Sequence, residues 1–215
     1  MSVSRYDRFI DVSYSSFERK KSSSIIGFIR GVNFLNKAVS TDKIRPAMMF
    51  VNVEVDTENP SRVAMVSTDG RRMHVLYVNS DLARKVLFLE DGLWTIVSST
   101  TTRAKLARID KEHFENTYAH TKYPDWRKIV PKDSDMVGSI GFPGFKMYGY
   151  TLEGSKEIQD LMRSLPEKTY LNLKHIMDIG VDDWVVSHGK SSSDNIVRFA
   201  NKAGDKFVLV ARMAD

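Results

Sequence analysis

The stretch VSTDGRRMHVL, residues 66–76, sets an Asp-Gly pair between two alternating apolar runs, Val63 and Met65 before it and Val75 and Tyr77 after it. Glycine tolerates the positive φ that a tight hairpin turn requires, so the pattern predicts strand, turn, strand over 62–78. The turn does not explain why two arginines, Arg71 and Arg72, follow it directly, nor why Met73 comes next.

Outward from this hairpin the chain alternates strand and helix signals. Residues 5–14 read as a short strand, followed by the polar, basic stretch SSFERKKSSS. In 24–40, Ile25, Phe28, Val32, Leu35 and Val39 recur at helical spacing, with Arg30, Asn33 and Lys37 on the opposite side. Two glycines weaken that helix, each by up to about 1 kcal/mol. Residues 48–55 and 92–99 read as strands. Residues 100–118 read as opening with a short basic helix behind a Ser/Thr cap. Residues 122–133, with a proline near each end, read as an extended connector.

The second half opens with MVGSIGFPGFKMYGY (136–150), whose Gly and aromatic content favours no one element. A helix is predicted over 154–165, capped by Ser155 and stopped by Pro166. Residues 169–180 read as strand into short helix, and three strands complete the chain. Strand–helix–strand–strand order in both halves makes the expected class α+β, with mostly antiparallel hairpins and two similar modules. The expected division is an N-terminal strand or arm (1–22), a first module (23–122), a connector (123–131) and a shorter second module (132–215).

The 215 residues contain no Cys, which excludes disulfides, thiolate catalysis and Cys-based zinc sites. No stretch approaches the roughly 20 apolar residues of a membrane span, and the charged N-terminus has no secretory h-region. A cytoplasmic protein is expected. The 32 Lys and Arg against 27 Asp and Glu give a net charge of +5, which permits a polyanionic partner.

Signals for chemistry are few. Asp182, Asp183 and His188 match no established metal-ligand spacing, and there is no GxSxG, Walker loop, HExxH or GxGxxG. No catalytic residue, metal site or cofactor is assigned, and a catalyst is not expected. Basic residues are better placed. Arg30 and Lys37 share a helix face, Lys43 follows in a loop, and Arg103 and Lys105 fall on the second predicted helix. Such faces would attract phosphates without reading sequence. YPDWRKIVP (123–131) is aromatic for a linker and suits one wall of a surface groove. The C-terminal FVLVARMAD is strongly apolar for a chain end and is expected to pair into a sheet.

Three pieces, RPAMMFVNVE (45–54), VSTDGRRMHVL and YPDWRKIVP, stand in the order seen in the β subunit of bacterial replicative polymerases, the DNA sliding clamps, and FVLVARMAD resembles that family's tail. The resemblance covers the family's second and third domains and leaves the first without a counterpart. It implies a DNA-clamp fold, two β-rich modules with helices on one face. In the family these pieces line a groove that takes a short peptide of polymerases and other partners. Carried over by position, that groove comprises Met48, Thr68, Gly70, Arg71, Arg72, Met73, Pro124, Lys128, Ile129, Val208 and Val210. The arginines would hydrogen-bond the peptide, and the apolar residues would bury its anchors.

The resemblance further implies double-stranded DNA as a sequence-independent partner, held by Arg30, Lys37, Lys43, Arg103 and Lys105. It also implies a DNA polymerase, a clamp loader and a homo-oligomer, with a trimer favoured to make six domains. A phage-encoded or otherwise divergent clamp fits the two-module length, in a bacterial or phage-infected cytoplasm. The alternative is an interaction protein that keeps the clamp fold and groove but closes no ring.

Overall fold

The computed structural model describes residues 5–14, 22–119, 121–144, 152–166, 169–190 and 196–211. The chain divides into two compact units. The first takes the residues up to Gly70 and those from His74 to Pro124; the second takes Arg71–Met73 and the residues from Asp125 onward.

The first unit opens with β1 (Tyr6–Ser13) and α1 (Ser22–Asn36). Strands β2 (Val51–Val55), β3 (Arg62–Thr68), β4 (Arg72–Asn79), β5 (Gly92–Ser99) and β6 (Arg103–Ile109) follow, then helix α2 (Lys111–Thr117). The strands lie in the order β1-β6-β5-β2-β3-β4. The α1 stripe forms as the spacing predicts: Ile25, Ile29, Val32 and Leu35 are fully buried, and α1 packs on β1, β3, β5 and β6. Gly31 permits the closest approach, because a Cβ there would run into the Leu76 side chain. Ser67 Oγ donates to Leu35 O at 2.7 Å, and His74 Nδ1 lies 2.8 Å from Phe34 O, so polar contacts also tie β3 and β4 to the end of α1.

The Asp-Gly hairpin forms between β3 and β4, with Gly70 at φ 86°. The Thr68 side chain accepts from the Gly70 N–H at 3.0 Å and closes the turn. The strand expected from residue 48 begins at Val51, because Pro46 opens a 3₁₀ turn over Pro46–Met49.

The short basic helix expected at the start of 100–118 does not form. Residues 100–103 make a turn in which Thr100 N donates to Arg103 O and Arg103 N donates to Thr100 Oγ1. β6 then pairs with β1 on one side and β5 on the other. Ala104, Leu106 and Ile109 are buried while Arg103, Lys105 and Arg108 are not, an alternation that suits a strand and overrides the helical propensity of Ala, Lys and Leu. The helix that follows, α2, is only seven residues long and is capped by Asp110, whose side chain accepts from His113 N.

In the second unit the connector contains one helical turn, α3 (Trp126–Ile129), rather than extended chain throughout. Strand β7 (Met136–Phe142), helices α4 (Leu152–Ser164) and α5 (Leu173–Ile179), and strands β8 (Trp184–Gly189), β9 (Ile196–Asn201) and β10 (Lys206–Ala211) complete it. The strands lie in the antiparallel order β10-β9-β8-β7. α4 already includes Ser155, so that residue lies within the helix and does not cap it. No strand precedes α5 over 169–172; Asn172 caps α5 instead, accepting from Lys174 N at 3.0 Å. Gly180, at φ 78°, ends it. The part of the 136–150 stretch beyond Gly144 lies outside the described residues.

Each unit holds a buried tryptophan whose indole N–H donates to the carbonyl four residues before it: Trp94 to Glu90 at 2.9 Å and Trp184 to Gly180 at 3.1 Å. Such pairing lets a large apolar ring enter the core with its one polar atom satisfied. The fold is α+β.

Candidate peptide groove and basic surface

In the first unit, the groove candidates Met48, Thr68 and Gly70 form one neighbourhood. Met48 stands on the 3₁₀ turn, half-buried. A Cβ at Gly70 would run into the Arg45 guanidinium and stand 3.7 Å from Met48 Sδ. Arg45 is held by Asp42, Nε to Oδ2 at 3.3 Å. The Ile44 backbone N–H and then Arg45 keep the Asp42 carboxyl below its ordinary range. Pro124 follows Tyr123, whose hydroxyl donates to Val66 O at 2.8 Å. Burial pushes the Tyr123 phenol above the usual tyrosine range, so it stays a neutral donor. That bond fixes Pro124 close to the strand that ends at Thr68.

In the second unit, the two arginines part company. Arg72 is 8% exposed, and its Nη1 meets Asp178 Oδ2 on α5 at 2.7 Å. Arg71 is exposed, and its carbonyl accepts from Ala211 N at 2.9 Å, at the end of β10. Met73 is 4% exposed, and Val208 and Val210 are fully buried. Lys128 is exposed and pairs with Asp125 at 2.9 Å. Ile129 is 45% exposed. It lines a cavity of about 360 Å³ with Pro131, Asp135, Met136, Gly189, Lys190 and Ile196. Of this unit's candidates, Arg71, Lys128 and Ile129 face solvent, whereas Arg72, Met73, Val208 and Val210 are interior.

The basic candidates separate into two sets. Arg30 is exposed on α1, on the side away from its buried stripe; Lys37, expected on the same helix, is exposed in the turn just past its end at Asn36, and Lys43 is exposed in the loop that follows. Asn33, between them, is half-buried and donates to Thr100 O at 2.6 Å. Arg103 and Lys105 stand on strand β6 rather than on a helix. They alternate with the core residues Ala104 and Leu106, which places them on the sheet face opposite the one that α1 covers. Arg103 forms a two-pronged ion pair with Asp11, and Lys105 lies 5.9 Å above the Phe9 ring. Arg103 holds the Asp11 carboxyl below its ordinary range.

Asp182, Asp183 and His188 serve the local structure. Asp182 pairs with Lys206 at 3.0 Å and Asp183 with Lys202 at 3.8 Å, while His188 Nδ1 lies 2.9 Å from Gly189 O. Among the described residues no group of three His, Cys, Asp or Glu is placed to hold a metal ion, and no helix is long and apolar enough to cross a membrane.

Sequence reasoning missed Asp178, which lies 106 residues from its partner Arg72. It also missed the network on the β1–β6 face, where Arg108 bridges Asp7 and Glu90, and Arg8 reaches Glu90 at 2.6 Å.

No family model and no curated protein matches the sequence. Solved structures do match. The β subunit of DNA polymerase III from Borrelia burgdorferi, solved with a natural product, superposes on all of this chain with a TM-score of 0.53 at 12% identity; the chain covers 66% of it. The sliding clamp of Bacillus subtilis gives 0.52 at 12% identity over all of this chain and 67% of its own. That of Bartonella birtlesii, bound to griselimycin, gives 0.55 at 10% identity over 99% of this chain and 68% of its own. The chain thus spans about two thirds of the length of the clamps it matches. With both units accounted for in each superposition, the protein has the fold of the bacterial DNA sliding clamps.

Proposed function

We propose that the protein is a clamp-like processivity factor, which embraces duplex DNA and tethers a DNA polymerase through a peptide groove. The match of the whole chain to bacterial clamps carries this reading. The neighbourhood of Met48, Thr68 and Gly70 supports the groove, with Arg71, Lys128 and Ile129 as the solvent-facing candidates of the second unit. The groove works by burying apolar anchors of a linear peptide, and the clamp itself performs no chemistry. Two units per chain make three copies the natural number for a six-unit ring, which a loader would open on DNA in a bacterial or phage-infected cytoplasm.

Duplex DNA would be held by Arg30, Lys37 and Lys43, through screened phosphate contacts that read no bases and so allow sliding. Each phosphate contact adds about 0.9 to the slope of log affinity against log salt. The triple variant Arg30→Glu, Lys37→Glu, Lys43→Glu is expected to bind duplex DNA more weakly, with that slope reduced by about 2–3 and no sequence preference in either protein. An unchanged slope would contradict the assignment.

A second reading is favoured by the position of Arg103 and Lys105, which leaves fewer cations on the α1 side than the sequence suggests. In that reading the chain binds clamp partners without closing a ring on DNA.

A further inference from the structure

We propose that the sheet face around Phe9, on strand β1 of the first unit, is a platform for single-stranded nucleic acid. A base stacks on the Phe9 ring while Lys105 and Arg5 meet the flanking phosphates. This goes beyond the embrace of duplex DNA and needs neither the peptide groove nor a closed ring.

Phe9 and Asp11 alternate along β1 with the core residues Ile10 and Val12, so they stand on the face opposite the one that α1 covers. Phe9 is 58% exposed there. Across the ladder it faces Ala107 on β6, which in turn faces Thr95 on β5. Small side chains in that row leave the large ring standing proud of the sheet. The Tyr6 ring meets it at 5.6 Å between centroids, with the planes 65° apart, an edge contact that restrains how the Phe9 ring turns. A restrained, exposed π-face on a strand surface suits a nucleobase, and such stacking tolerates any base. An aliphatic peptide anchor would need a hole to fill instead.

The charges beside the rings suit phosphate. Lys105 Nζ lies 5.9 Å from the centroid of the Phe9 ring, and the Arg5 guanidinium carbon lies 5.4 Å from that of Tyr6. The carboxylates of β1 are already engaged. Arg108 takes both oxygens of Asp7, at 2.9 and 2.6 Å, and Arg103 takes both oxygens of Asp11. Lys105 stands opposite Asp11 in the register but forms no ion pair with it, and Arg5 pairs with no carboxylate among the described residues. The acids of the strand are thus neutralised, and the two cations that flank the rings are the ones left for a polyanion. An acidic peptide would answer the cations but brings no flat face to Phe9. A duplex keeps its bases stacked on one another and out of reach of the ring. A single strand offers both groups at once.

The test is the fluorescence anisotropy of a labelled oligothymidylate of about twelve nucleotides, titrated with the full chain over a range of salt. Phe9→Ala and Phe9→Leu are each expected to weaken binding by at least about fivefold, the low end of what one stacked base contributes, whereas Phe9→Tyr, which keeps the π-face, should bind as the parent does. Because Leu keeps the apolar bulk, a loss shared by Ala and Leu but not by Tyr reports stacking rather than folding. Arg5→Gln and Lys105→Gln are each expected to lower the slope of log affinity against log salt by about 0.7, one phosphate contact on a single strand. The Phe9 dependence should persist in the triple variant of Arg30, Lys37 and Lys43, which separates this face from the one proposed for duplex DNA. Equal binding by all three Phe9 variants would overturn the proposal. So would displacement of the oligothymidylate by oligoglutamate at matched charge, which would assign the face to an acidic peptide. A changed solution mass in Phe9→Ala with oligothymidylate binding intact would also overturn it, and would make the face a contact between copies of the chain.

Discussion

Arg71 and Arg72 are neighbours in sequence with different work. Arg72 turns inward to Asp178 at 2.7 Å, and Arg71 stays in solvent while its carbonyl holds the end of β10. Removing one partner from a buried pair strands the other charge, so Asp178→Ala is expected to cost about 2–4 kcal/mol in urea unfolding, whereas Arg71→Ala should stay within about 0.5 kcal/mol. Gly70 is constrained twice, by φ 86° and by the Arg45 guanidinium behind it. Gly70→Ala should therefore cost about 1–3 kcal/mol by the same assay. The turn and its glycine were legible because Asp-Gly between alternating apolar runs is a local signal. Asp178 was not, because nothing near α5 marks a partner 106 residues away.

The elements divide along the same line. α1 was legible from its stripe, and its two glycines have opposite roles. Nothing stands within 4 Å of a Cβ at exposed Gly27, so Gly27→Ala should stabilise by about 0.5–1 kcal/mol; Gly31→Val should destabilise by about 1–3 kcal/mol through Leu76. Thermal melts of both variants check the pair. β6 was misread because Arg-Ala-Lys-Leu-Ala-Arg-Ile favours a helix locally, and only its flanking strands decide otherwise.

That ladder also sets an acid response. Arg108 holds Asp7 below its ordinary value of 3.8, mainly through their hydrogen bond, and Arg103 does the same for Asp11. Carboxylates depressed in the folded state contribute stability above the unfolded value, and it is lost as pH falls through the lower folded value. Both ion pairs join β1 to β6. Between pH 5 and pH 2, hydrogen exchange should therefore show β1 losing protection before β5 does. Simultaneous loss across the sheet would contradict this.

At the scale of the molecule, the clamp fold was legible from three separated pieces in a shared order, although no piece alone specifies it. The described part of the second unit contains the four strands β7 to β10. The split of the basic residues between two faces was not visible, because it follows from β6 being a strand. The proposed function turns on assembly: to encircle DNA, a two-unit chain of this fold would have to close as a ring of three. The most direct measurement is the absolute mass in solution, by light scattering after size exclusion at low micromolar protein and moderate salt. The account predicts three times the 24.5 kDa chain. A single-chain mass under those conditions would contradict the closed ring and leave the reading as a partner-binding protein in its place.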